Sequence, residues 1–189
     1  MKRLNQIILV LTFVSFSWLA MQVVHELGHV IGAYLTHAEV TKIVLHPFTL
    51  SRTDLGHNPH PLVVVWAGPI IGAVLPLIIF LVARTWRALD LFLFRWFSGF
   101  CLIANGVYIA FGPSGGALDT GVMIQYGSQR WIMVIFGILT CPLGLYLWHR
   151  QGEDFGLGKA EGRVSQKATI VSAVLLIAVA GLEFIFNSR

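Results

Sequence analysis

At 189 residues, with 56% hydrophobic and 12% charged side chains and a mean hydropathy of +0.76, the chain is far more apolar than an average soluble domain and belongs in a bilayer. Its length accommodates one helical bundle, residues 1–189, without a large appended module. The net charge of +4 comes from 13 scattered Lys and Arg, without the basic stripe that nucleic-acid binding needs.

The N-terminus, MKRLNQIILVLTFVSFSWLA, has the basic start and apolar run of a signal peptide. Cleavage after Ala20 would put bulky Trp18 where a small residue is wanted, and the apolar pattern continues, so the segment reads as an uncleaved first span over about residues 6–35. Four more runs near the roughly 20 residues of a bilayer crossing cover about 62–83, 91–111, 130–148 and 168–187. Trp66, Trp86, Trp96, Trp131 and Trp148 fall near their ends, as an interfacial belt requires.

After the first span, β-branched residues around 40–45 and the stretch 48–50 flank His46 and Pro47, a pattern for a short hairpin. After the third span, FGPSGGALDTGVMIQYG is too rich in Gly and Pro for continuous helix, yet apolar enough for membrane depth, where irregular backbone is tolerated if protein or a water-filled cavity surrounds it. Residues 150–167 read as a solvated loop. The expected fold is an all-α polytopic membrane protein of about five transmembrane helices, with a short β-hairpin-like loop after the first.

Lys and Arg bias sets orientation. A cytoplasmic N-terminus puts Lys2, Arg3, Arg84, Arg87, Arg95, Arg150, Lys159, Arg163 and Lys167 inside, against Lys42, Arg52, Arg130 and Arg189 on the other side. That bias favours the N-terminus inside, in a multi-pass protein expected in a bacterial plasma membrane.

The chemistry centres on VVHELGHVIG, residues 23–32. Ionisable groups in hydrocarbon are costly and usually functional. Positions four apart share a helix face, so His25 and His29 can present their rings to one ion while Glu26 reaches a water beside it, the H-E-x-x-H arrangement of zinc peptidases. Zinc polarises a carbonyl and lowers the pKa of water while the glutamate takes the proton, which gives peptide hydrolysis. The plain alternative is a hydrogen-bonded polar cluster between helices.

A catalytic zinc usually has a third protein ligand. Glu39, Asp54, Asp90, Glu153, Asp154 and Glu161 fall in loops, and Glu183, near the end of the last span, is expected to snorkel. Asp119 stands out, following GPSGGAL and preceding a helix-capable run; its alternative is a helix N-cap. His57 and His60 read as a solvated turn before a second metal site. Cys101 and Cys141 lack metal-type spacing, and the pairs Gly28/Gly32 and Gly68/Gly72 read as helix-packing positions.

HELGH in the first span, AGPIIG at residues 67–72 and NGVYIAFGPSGGALDTG at residues 105–121 together resemble the core of the site-2 protease family of intramembrane zinc metalloproteases, over roughly residues 20–145. The resemblance implies His25 and His29 as zinc ligands, Glu26 as catalytic base and Asp119 as third ligand, with Asn105 a candidate for a substrate-facing amide. The chain departs from the family at Thr120, where Leu-Asp-Gly is common, at Gly112 and Pro113, and at Gly72, where Asn is frequent; it resembles a divergent branch. The PDZ and nucleotide-sensing domains of many members have no room here. Substrate selection is therefore expected from the bundle, from the hairpin, which could align an extended peptide by strand addition, or from a regulatory membrane partner. The implied partners are the bilayer and a transmembrane or membrane-associated protein substrate, with no nucleic acid. A noncatalytic zinc-containing adaptor would have no use for Glu26, and a metal transporter would need more polar residues along its spans.

Overall fold

A computed structural model of the chain describes residues 2–116 and 118–187; Ala117, inside the expected irregular segment, and Arg189, counted for orientation, lie outside them. The elements run α1 (Lys2–Leu35), β1 (Val40–Val44), β2 (Arg52–Leu55), α2 (Pro61–Thr85), α3 (Leu91–Phe111), α4 (Asp119–Gln125), α5 (Arg130–Trp148) and α6 (Gln166–Asn187), with one 3-10 turn at Gly158–Ala160. Five helices, α1, α2, α3, α5 and α6, are long and apolar enough to cross a membrane, so the architecture is that of a multi-pass α-helical membrane protein. At 34 residues α1 is about 51 Å long. It exceeds the roughly 30 Å of a hydrocarbon core, and HELGH lies in its second half.

The spans pack side by side in the order α6, α1, α2, α3, α5, with α4 against α2 and α3. Because α2 stands behind both α1 and α3, these two helices border a cleft. Small residues set the closest approaches. A Cβ on Gly137 of α5 would lie 2.6 Å from the Ala110 Cβ and 2.8 Å from the Gly106 carbonyl oxygen of α3, and one on Gly144 would lie 2.7 Å from the Gly99 carbonyl oxygen. At the far end of this seam the Trp96 and Trp148 rings stack at 5.0 Å, and Trp148 Nε1 donates to the Trp96 carbonyl at 2.9 Å.

The structure corrects three expectations away from the site. The second hairpin strand is Arg52–Leu55, paired antiparallel with β1, whereas residues 48–50 lie in the connection. There Phe48 turns its ring to His46 and Phe184 instead of entering the ladder. The segment 150–167 is not wholly solvated: Phe155 packs in a core cluster with Leu9, Phe13, Leu93 and Ala168, and its carbonyl accepts from Gln6 Nε2 at 3.0 Å. Glu183 does not snorkel, for its carboxylate is buried without a hydrogen-bond partner among the described residues. It follows Ser172 by about three helical turns and so faces the same side, where Ser172 Oγ meets Thr12 Oγ1 of α1 at 2.7 Å.

Gly137→Ala is expected to lower the Tm in detergent by overpacking the α3–α5 seam, a cost of about 1–3 kcal/mol. Gly181→Ala, where a Cβ meets nothing within 4 Å, is expected to be neutral or slightly stabilising, since Ala is the better helix former. Equal Tm changes would contradict the seam.

Candidate metal centre

His25, Glu26 and His29 are all buried on α1, where the helical repeat turns both histidines toward α2 and α3. His29 Nδ1 lies 2.9 Å from the Val64 carbonyl oxygen of α2. A carbonyl can only accept, so Nδ1 carries the proton. His25 Nδ1 lies 2.7 Å from Asn105 Oδ1 of α3, and the orientation of that amide is set by Nδ2 donating to the Cys101 carbonyl at 2.9 Å. Nδ1 of His25 therefore also carries its proton. Each neutral ring is left with an unprotonated Nε2.

Both Nε2 atoms point at one carboxylate oxygen, Asp119 Oδ2, at 2.9 Å from His25 and 3.4 Å from His29. Two nitrogen lone pairs and a carboxylate oxygen facing one another repel unless a proton or a cation stands between them. Potential ligand atoms of His25, His29 and Asp119 lie within 4.8 Å of one another. The two observed separations bracket the roughly 3.3 Å between tetrahedral ligands held at about 2.0–2.1 Å from a small divalent ion. The donor set thus fits a metal, and among the described residues this is the one such cluster. His57 and His60 are exposed and stand outside it.

Asp119 reaches this point because the chain between α3 and α4 is pinned. Arg130 donates to the Gly112 and Ala110 carbonyls, each at 2.9 Å, and Thr120 Oγ1 donates to the Pro113 carbonyl at 2.7 Å. The Asp119 backbone N–H donates to the Tyr108 hydroxyl at 3.2 Å. The N-cap of α4 is Leu118, and no side chain caps it, so the Asp119 carboxylate does not serve as the cap.

Glycine makes the space. A Cβ on Gly68 would collide with the His29 ring, and one on Gly72 would lie 2.9 Å from Asn105 Oδ1. A Cβ on Gly28 would stand 2.5 Å from the Ala67 carbonyl oxygen, so α1 and α2 approach closely where the histidines enter. The pairs Gly28/Gly32 and Gly68/Gly72 therefore do more than pack helices. Asn105 is 1% exposed and belongs to the lining of the cavity over the cluster; its amide meets His25 and Cys101 and so also orients a histidine.

A cavity of about 1230 Å³ opens over the cluster, in the cleft between α1 and α3. Near the histidines it is lined by residues 50–56, including all of β2; deeper, Trp18, Met21, Phe100 and Ile103 make it apolar. Glu26 faces this cavity, and its Oε2 accepts from the Thr53 hydroxyl of β2 at 2.7 Å. The sequence does not single out Thr53, Tyr108 or Arg130. Tyr108 alone carries a signal, standing one turn beyond Asn105 on α3.

Comparison of the chain with protein-family models, curated proteins and solved structures returns no match.

Asn105→Leu removes the acceptor that fixes the His25 ring, and loss of such an outer-shell partner typically costs about 10- to 100-fold in metal affinity. Gly68→Ala is expected to do the same by displacing His29. Zinc titration against a competing chelator checks both, with Gly181→Ala expected to keep wild-type affinity.

Proposed function

We propose that the chain is an intramembrane zinc metalloprotease, a divergent member of the site-2 protease family, which hydrolyses peptide bonds of transmembrane or membrane-associated proteins. The observation that carries this reading is the convergence of the Nε2 atoms of His25 and His29 on the Asp119 carboxylate, beside a glutamate that ligates nothing in that cluster. An adaptor or a transit site needs the cluster and not the glutamate. His25, His29 and Asp119 would hold the metal. When bound there, zinc would supply a Lewis acid for a carbonyl oxygen and a lower pKa for the attacking water.

The chain's own residues supply the rest. Glu26 accepts a proton from the water on a carboxylate oxygen and returns it to the amide nitrogen as the C–N bond breaks, leaving a carboxylic acid and an amine. A transmembrane helix presents no free amides, because they are bonded internally, so the substrate must be extended where it is cut. β2 pairs only with β1 among the described residues, and its other edge is available to an extended peptide by strand addition. The apolar depth of the cleft suits the membrane-embedded part of the same substrate. We propose a cytoplasmic N-terminus from the Lys/Arg bias, a bacterial plasma membrane from the small size of the chain, and a regulatory membrane partner as a further source of selection.

β-Casein, an unfolded chain that needs no unwinding, serves as the probe. Zinc-loaded wild-type protein in detergent is expected to cut it, and Glu26→Gln to lose about 10²- to 10⁴-fold in rate, the usual contribution of a general base, while keeping its zinc. Wild-type protein that holds zinc and leaves casein intact, or a Glu26→Gln variant that cuts at the wild-type rate, would overturn the proposal.

A further inference from the structure

The hairpin touches α1 through two side-chain hydrogen bonds. The Ser51 backbone N–H donates to Gln22 Oε1 at 3.1 Å, and Thr53 Oγ1 donates to Glu26 Oε2 at 2.7 Å. The spacings match: four helical residues advance about 6 Å, and two strand residues about 6.6 Å. The chain from Ser51 to Thr53 therefore runs alongside α1 in the same direction, held at both points. Thr53 is itself fixed by its pairing with Ile43 of β1. A carboxylate can only accept, so the Thr53 hydroxyl spends its one proton on Glu26. Among the described residues Glu26 Oε1 accepts no hydrogen bond, so the Thr53 contact decides which carboxylate oxygen stays free.

We infer that Thr53 is a positioning residue for Glu26: its hydroxyl fixes the carboxylate through Oε2 and leaves Oε1 free beside the cluster-bearing turn of α1, and it ties the general base to β2, the strand that lines the cleft. This rests on the protease reading. A peptide lying along β2 would bear on the strand that holds the base, so occupation of the cleft and placement of the base are coupled through one hydroxyl. The Gln22 anchor holds the same hairpin without touching Glu26. It separates holding the strand from aiming the base.

The test uses full-length zinc-loaded protein with two probes, β-casein for turnover and acetohydroxamate for binding, the latter because a hydroxamate passes a proton to a neighbouring carboxylate when it binds. Thr53→Val, which keeps the shape and removes the donor, is expected to lower kcat about 10- to 100-fold, as small misplacements of catalytic groups do. KM and zinc content should stay at wild-type values, and acetohydroxamate binding should weaken. Thr53→Ser should restore both readouts, and Gln22→Ala should leave them near wild type. Wild-type behaviour of Thr53→Val, or equal losses in Gln22→Ala, overturns the inference, the second because Thr53 would then act only by holding the hairpin. If zinc-loaded wild type cuts nothing, the protease reading fails separately, and acetohydroxamate binding alone decides: weakened in Thr53→Val and restored in Thr53→Ser supports the positioning role, unchanged overturns it.

Discussion

Two imidazole lone pairs and a carboxylate oxygen cannot share one point in an apolar bundle unless something positive stands between them. Here the arrangement is imposed from behind. The Val64 carbonyl and the Asn105 amide oxygen each accept a hydrogen bond from an Nδ1–H, which turns both Nε2 atoms forward, while Arg130, Thr120 and Tyr108 hold the Asp119 segment against them. Every element bordering the cluster contributes to this: α1 the rings, α2 a carbonyl, α3 an amide and a phenol, and α4 the acid. Releasing one Nδ1 proton would free its ring to change tautomer or turn away, and the three donors would no longer converge.

Such convergence needs space, and the small residues of α1 and α2 provide it. In a bilayer, association of helices depends on close packing instead of the hydrophobic effect, so glycine usually serves the backbone. Gly68 and Gly72 instead leave room for the His29 ring and the Asn105 amide. The same pattern therefore joins packing energy to the placement of the site. The cleft follows from α2 standing behind α1 and α3, and β2 closes one wall of it, bringing Thr53 to Glu26.

The five spans and the short hairpin are legible in the sequence because length and hydropathy fix them in a bilayer, and the HELGH spacing places two rings and a carboxylate on adjoining helix faces. Asp119 is legible as the acid standing alone in an irregular apolar segment. What depends on rotation or register is not. The role of Asn105 follows from how α3 turns against α1, and burial of Glu183 from how α6 turns. Thr53 meets Glu26 because the second strand is Arg52–Leu55 and not the more apolar 48–50. Phe155 enters the core from a segment whose charges suggest solvent. Each of these is decided by tertiary packing, which local composition does not encode.

The most direct test of the central claim is the zinc content of detergent-purified protein, measured for wild type, His25→Ala and Asp119→Ala after equal exposure to zinc. The account predicts about one zinc per chain in wild type, as for a single mononuclear site, and its loss in both variants. Wild-type protein that takes up no zinc would contradict it, as would an Asp119→Ala variant that holds zinc as tightly as wild type.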